Sequence, residues 1–325
     1  MELTIALNRY DRHVPFFNGT IKPPEGVTLK PLEIGESLPY RDGSDRHARL
    51  INDLEFDIGE MGLSSYVMAI ARDPEHPIVG IPVFPRRFFS PGQIYVNPKA
   101  GIKNARDLIG RNVGVHSFQT TLSVLAKGDL KIDHNVDWES INWYCMREEI
   151  IPINLGSDVS VQTIQPGKDI GIMLMEGEID ALISPQPRKS MLENPKSYHR
   201  LYTNPVQEDI QYFKKHGYFP IMHLMTMKRA LADSRPDLPL AIFNMYNEAV
   251  ALAYSFYEDS NYALLAWSRN AFEEQQNFLG SDPWTKGFAD NKKNLDQFIK
   301  YSYDQRLIGE IFPSERLFHE PLVNT

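Results

Sequence analysis

The segment Phe56-Asp-Ile-Gly-Glu-Met-Gly-Leu-Ser-Ser-Tyr66, with Ile78-Val-Gly-Ile-Pro-Val-Phe-Pro-Arg-Arg87 after it, constrains the chain most. It reads as strand, polar turn, helix, then a second buried strand that ends on two arginines. A strand that feeds a helix and then another strand is the unit of an α/β sheet. Open sheets of that kind bind ligands at strand ends, where loops meet helix N-termini. Glu60, Ser64, Ser65, Arg86 and Arg87 are predicted to arrive at such a place, and that set of side chains suits a small anion.

The rest of the chain alternates in the same way, which predicts a parallel α/β architecture. Strands are predicted near residues 3–7, 27–32, 56–59 and 78–84, with Ser64 or Ser65 capping the helix that runs to Ala71. The Ser-Pro-Gly turn at residues 90–92 marks a change of domain. A crossing segment over 93–97 leads to a strand at 112–115, a helix at 119–127 and a closing strand at 179–184. A further apolar strand at 221–227 and a long amphipathic helix at 237–257 follow. The implied plan is a discontinuous domain of residues 1–90 plus 205–325, with residues 91–204 inserted as a second domain.

At 325 residues the chain is long enough for two cores. Its formal net charge of −8 argues against nucleic acid, which requires a basic face. One cysteine, Cys145, excludes an intramolecular disulfide and is too few for a cysteine metal site; in its apolar run it reads as an inert buried thiol. No window approaches the ~18 apolar residues of a membrane span, and the N-terminus enters a strand pattern without a leader, so a cytoplasmic location is expected. No Gly-rich nucleotide loop or Gly-x-Ser-x-Gly elbow occurs. The sequence leaves self-association open.

Several side chains can carry chemistry. Arginine pairs bidentately with carboxylates. Adjacent strand residues point to opposite faces, so one of Arg86 and Arg87 is expected to reach the ligand, Arg86 ahead. Ser64 and Ser65, at a helix start, offer hydroxyls and backbone N–H groups to an anion. Gln119, Thr120 and Thr121 offer a matching seat from the second domain. Glu60 at a strand end would have its pKa raised by burial beside an anion and could then donate a proton. His223 and His116, each at a strand end, are the other candidate acids or bases. Tyr10, Asp11 and Arg12 follow the first strand and could bind ring hydroxyls, or form a loop network instead. His116, His223, Glu60 and Asp11 lack a recognisable metal-ligand spacing, although a divalent ion is not excluded.

Taken together, Tyr10-Asp-Arg12, Phe56–Tyr66, Pro82-Val-Phe-Pro-Arg86, Ile94-Tyr-Val-Asn97 and Ala100-Gly-Ile102 match a family. So do Gly110–Val115, Gly177-Glu-Ile-Asp-Ala181, Phe219-Pro-Ile-Met-His223, Asp282-Pro-Trp284 and Tyr301–Phe312. The chain resembles the 4,5-dihydroxyphthalate decarboxylases, whose fold is similar to the type II periplasmic solute-binding proteins. It departs from that pattern at His116-Ser-Phe-Gln119, where relatives often read Pro-Glu-Tyr-Gln. A second departure is at Ser184-Pro-Gln-Pro-Arg188, where the arginine comes late. Both departures bear on substrate identity.

The resemblance implies a two-lobed α/β fold with a cleft between lobes. It also implies a cytoplasmic carboxy-lyase of aromatic-compound catabolism, acting on a hydroxylated aromatic acid such as 4,5-dihydroxyphthalate to give protocatechuate. Such a reaction needs a cation for the retained carboxylate and a proton donor for the ring carbon. A ring hydroxyl can supply electron density, so no organic cofactor is required. The alternative is a non-catalytic solute-binding protein for a small aromatic or other organic anion.

Overall fold

The computed structural model describes residues 1–34 and 46–325. In chain order the strands are β1 (Glu2–Leu7), β2 (Thr28–Glu33), β3 (Ile58–Gly62), β4 (Ile78–Arg87), β5 (Ile94–Val96) and β6 (Asn112–Val115). They continue with β7 (Asn142–Cys145), β8 (Val161–Thr163), β9 (Ala181–Ile183), β10 (His199–Arg200) and β11 (Ile221–Lys228). The α-helices begin with α1 (Val14–Phe17), α2 (Arg46–Ile51), α3 (Leu63–Arg72), α4 (Thr121–His134), α5 (Ile170–Glu176) and α6 (Lys189–Glu193). They end with α7 (Pro205–His216), α8 (Arg229–Ser234), α9 (Asp237–Phe256), α10 (Ser268–Leu279) and α11 (Lys292–Asp304).

The chain divides into two units. The first holds Met1–Arg87, Ile221–Leu295 and Phe312–Thr325, and the second holds Phe88–Pro220 and Asp296–Ile311. Residues 205–220 and 296–311 thus belong with the second unit, where the sequence reading had put them in the first. The reason is packing. Phe219 stacks on Phe89 at 4.6 Å, and Asp304 of α11 accepts hydrogen bonds from Lys131 Nζ at 2.7 Å and Trp138 Nε1 at 3.0 Å.

The sheet of the first unit has the order β2-β1-β3-β11-β4. β1 runs parallel to both neighbours, while β11 lies antiparallel between β3 and β4, so the sheet is mixed rather than parallel. The apolar run of β11 explains its central place: strands buried on both faces read as continuous hydrophobic stretches. Leu3, Ile5, Ile58, Val79 and Met225 meet Ile242 and Met245 of α9 in one core. Gly80 marks a close approach, since a Cβ there would stand 2.5 Å from the Leu317 carbonyl oxygen. The same carbonyl accepts from the buried Tyr66 hydroxyl, which docks the C-terminal segment.

The second unit carries the order β10-β5-β9-β6-β7-β8, with β6 parallel to β7 and β9 and β5 antiparallel to β9 and β10. Ile170 and Leu174 of α5 pack with Tyr95, Ile179 and Leu182 in its core. Cys145 is buried there, and burial pushes its thiol up to about 12, so it is unreactive.

Candidate active site in the first unit

Glu60 and His223 come together because β11 inserts beside β3. In that register His223 lies opposite Gly62 on one side and Arg86 on the other, with irregular pairing on either side of it against β4. A local break in register re-aims a side chain at a sheet edge or site. His223 Nδ1 bonds the Glu60 carboxylate, and Glu60 itself is 0 % exposed.

A buried carboxylate needs partners. Glu60 has the Arg46 guanidinium at 3.3 Å, the Asn8 backbone and side-chain nitrogens at 3.5 and 3.4 Å, and the Tyr10 hydroxyl at 3.4 Å. Arg46 also donates from Nε to the Glu60 carbonyl at 2.8 Å, which fixes the end of β3 and the charge over it in one contact. Burial pushes the Glu60 carboxyl up. The Arg46 guanidinium and the His223 ring outweigh that and hold it well below the usual carboxylate range. This corrects the expectation of a raised, proton-donating Glu60: the group is an anion.

His223 is lowered as well, by a different balance. Burial lowers its pKa, Glu60 pulls it up, and the Arg86 and Arg46 guanidiniums push it down again; it ends below the ordinary histidine value. The resting ring is neutral, with its proton on Nδ1 facing the Glu60 anion, and Nε2 carries the lone pair. The His47 ring meets the His223 ring edge-on at 5.0 Å. Burial, with Glu60 second, raises the Tyr10 hydroxyl to about 12, so it stays protonated. His13, wholly buried against the Asn8 carbonyl at 2.7 Å, is pushed down to about 4 by its burial and is neutral too.

The other expected residues separate. Arg86 is half-buried and lies beside His223. Arg87, the other candidate of the pair, turns to the interior and donates to Asn291 Oδ1 at 2.6 Å and the Thr285 carbonyl at 3.1 Å, so it is a structural strut. Ser64 and Ser65 are buried in the first turn of α3, but the N-cap is Gly62, so neither serine caps the helix. Asp11 and Arg12 pair with each other at 2.9 Å; Arg12 also donates to the Pro85 carbonyl and stacks over Tyr10 and Trp284. They form a loop network rather than an open hydroxyl-binding pair.

His116, Gln119, Thr120 and Thr121 lie in the second unit. The amides at the start of α4 already face a carboxylate. Phe118 N and Gln119 N donate to Glu149 at 2.6 and 3.1 Å, the Gln119 side chain donates to the Ile151 carbonyl, and Thr120 bonds Ser117. The Phe118 and Gln119 amides, just ahead of α4, are thus taken from within the chain.

Arg46, His47 and Asn8 escaped the sequence reading. The residues 46–54 carried a helical pattern and nothing more. The one available signal was a buried acid at residue 60 that required a cation from somewhere. Among the described residues no group of three or more His, Cys, Asp or Glu is placed to hold a metal ion, and no helix is long and apolar enough to cross a membrane.

No protein-family model matches the chain. Among solved structures it is similar to the periplasmic aliphatic sulphonate binding protein SsuA of Escherichia coli, at TM-score 0.59 and 15 % identity over 98 % of this chain and 92 % of that one. A periplasmic sulfonate-binding protein of Methylobacillus flagellatus gives TM-score 0.61 at 12 % identity, over 100 % and 93 % of the two chains. These likenesses show the periplasmic-binding-protein fold. Two curated relatives carry one name, 4,5-dihydroxyphthalate decarboxylase. That of Comamonas testosteroni is 27 % identical over 98 % of this chain and 96 % of its own. That of Pseudomonas putida is 30 % identical over 63 % of this chain and 78 % of its own. The chain belongs to the 4,5-dihydroxyphthalate decarboxylase family.

Proposed function

We propose that the protein removes a carboxylate, without oxidation, from a hydroxylated aromatic acid of the 4,5-dihydroxyphthalate type. The observation that carries this reading is the neutral His223 held by ionised Glu60 with Arg86 on the neighbouring strand. The relatives' name supplies the reaction class, and the site supplies groups able to run it.

In this reading Arg86 pairs with the carboxylate that stays on the ring. His223 Nε2 takes the proton of the ring hydroxyl para to the leaving carboxylate, and Glu60 stabilises the imidazolium so formed. The phenolate pushes its electron pair to the carbon that bears the leaving group. That carbon takes the proton back from His223. The bond to the carboxylate then breaks, carbon dioxide leaves, and the pair returns to the ring. The product phenolate takes one proton from water, which closes the balance of one proton consumed per carbon dioxide released. His223 acts as a shuttle, consistent with a ring that rests neutral and becomes cationic only beside an anion.

Incubation of the purified protein with 4,5-dihydroxyphthalate tests the proposal: protocatechuate and carbon dioxide are expected in equal amounts. A raised melting temperature with no product would favour instead a binding protein for aromatic anions, the reading to which the fold likeness alone lends weight.

A further inference from the structure

The turn that follows β1 is densely bonded, and the reaction proposed above makes no use of its Tyr10-Asp-Arg12 motif. Asp11 accepts from Arg12 Nη1 at 2.9 Å and from the Tyr257 hydroxyl at 2.7 Å. The Arg12 guanidinium stands over the Tyr10 ring at 4.2 Å and over the Trp284 ring at 4.5 Å, and its Nε donates to the Pro85 carbonyl at 2.7 Å. The buried His13 ring meets Tyr10 at 5.0 Å and bonds the Asn8 carbonyl at 2.7 Å.

This packing fixes one hydroxyl. Tyr10 Oη accepts from Asn8 Nδ2 at 2.8 Å and donates to Glu60 Oε1 at 3.4 Å. The same Oε1 is the oxygen bonded by His223 Nδ1. Two donors, one from β11 and one from the turn after β1, therefore share a single carboxylate oxygen.

We propose that Tyr10 is a positioning residue that sets the strength of His223 as a base by competing with it for Glu60 Oε1, and that Arg12 strengthens Tyr10 as a donor. This role rests on the reaction proposed above, whereas the hydrogen bonds that produce it do not. A carboxylate oxygen that accepts a second hydrogen bond holds the first less strongly, because part of its charge is already answered. A cation over the face of a phenol draws electron density from the ring and makes the hydroxyl a better donor. Asn8, Tyr10 and Glu60 form a chain in which each donor polarises the next. At 3.4 Å the Tyr10 bond is longer than the usual O–H···O, so it trims the charge on Oε1 and does not capture it. The imidazolium of His223 is then stabilised enough to form and weakly enough to give its proton to a ring carbon. The other charged or titratable side chains that face the pair are Arg46 and His47 on α2, Arg86 on β4, and Arg12 and His13 on the turn. Removing the Tyr10 hydroxyl alters the identity of none of them.

NMR titration of the ligand-free full chain, labelled at histidine, tests the proposal, with the His223 signal assigned by its loss in His223→Gln. Tyr10→Phe keeps the ring under Arg12 and removes the hydroxyl alone. The His223 midpoint is expected to rise by about 0.3–1 pH unit, as the loss of one long hydrogen bond to a charged group implies. A 3-fluorotyrosine placed at position 10 alone is a stronger donor and should lower the midpoint. A merely structural role for Tyr10 would not give shifts of opposite sign. An unchanged or lowered midpoint in Tyr10→Phe would overturn the proposal, as would a raised one with the fluorinated ring. The acid limb of carbon dioxide release should follow the midpoints. Midpoints that shift as expected in a protein that releases no carbon dioxide would support the role of Tyr10 and count against the reaction.

Discussion

His223 donates through Nδ1 to the carboxylate of Glu60, a group with no solvent exposure whose charged partner is Arg46 at 3.3 Å. A neutral base is thereby paired with a fixed anion, and its lone pair is left on Nε2. Both pKa values are lowered across one hydrogen bond, for different reasons. Burial acts against the charged form of both groups, but only Glu60 has an arginine to overcome it.

Activity should therefore have an acid limb. Because the His223 pKa lies below its ordinary value near 6.5, turnover is expected to hold through neutrality and to fall once acidification protonates Nε2. Glu60→Gln removes the anion that raises the His223 pKa, so the limb should move further toward acid while kcat drops on the order of a hundredfold. A pH–rate profile of both proteins checks this. A limb that moves toward neutral pH in the variant would contradict the assignment.

The two adjacent arginines should separate cleanly. Arg86→Ala is expected to raise KM by about ten- to a hundredfold with little change in melting temperature, as the loss of a charged hydrogen-bonded contact to a ligand does. Arg87→Ala should do the reverse. It strips Asn291 and Thr285 of a buried partner and should cost about 3 kcal/mol of stability, with KM unmoved in the fraction that folds. Paired kinetics and thermal melts decide between them.

That contrast also shows what could be read from the chain. The alternation along β4 told that Arg86 and Arg87 face opposite ways, and the order of strands and helices told the fold class. The insertion of β11 between β3 and β4 was not legible, because the residues that pair there stand more than a hundred positions apart and an apolar strand looks the same in either direction. Glu60 was singled out as a strand-end acid, whereas it is the middle residue of β3, and its ionisation depends on Arg46, whose helix carries no mark of that role. At α4 the sequence marked Gln119, Thr120 and Thr121 as an anion seat, but it did not show that Glu149, thirty residues on, accepts from the Phe118 and Gln119 amides. Residues 296–304 of α11 belong with the second unit, where Tyr301 bonds Asp129 and Asp304 accepts from Trp138.

Asp129 should give the second unit a pH dependence of stability. Its buried carboxyl, bonded by Ser90 at 2.6 Å, Tyr301 at 2.9 Å and Tyr212 at 3.2 Å, is pushed up to about 7 by burial. A raised acid binds its proton more tightly folded than unfolded, so its contribution is complete below the ordinary value near 3.8 and is lost as pH rises through 7. The shift corresponds to about 4 kcal/mol. Asp129→Asn should flatten the part of the stability profile between pH 4 and 7 that the wild type shows, as read by denaturant melts at stepped pH.

Gly128 allows α4 to lie on Tyr301, because a Cβ there would stand 2.4 Å from the ring. Gly128→Ala should destabilise by about 1–3 kcal/mol despite its better helix propensity. Partial rescue is expected when Tyr301→Leu is combined with it. A calorimetric scan in which Gly128→Ala melts above the wild type would contradict the packing.

The central claim is that His223 moves the proton that replaces the departing carboxylate. Carbon dioxide release by His223→Ala, measured beside the equilibrium affinity of the same variant for 4,5-dihydroxyphthalate, tests it most directly. The account predicts that turnover falls by about 10²–10⁴-fold while affinity stays within a few-fold of the wild type. Release at the wild-type rate from a variant that lacks the ring would contradict it.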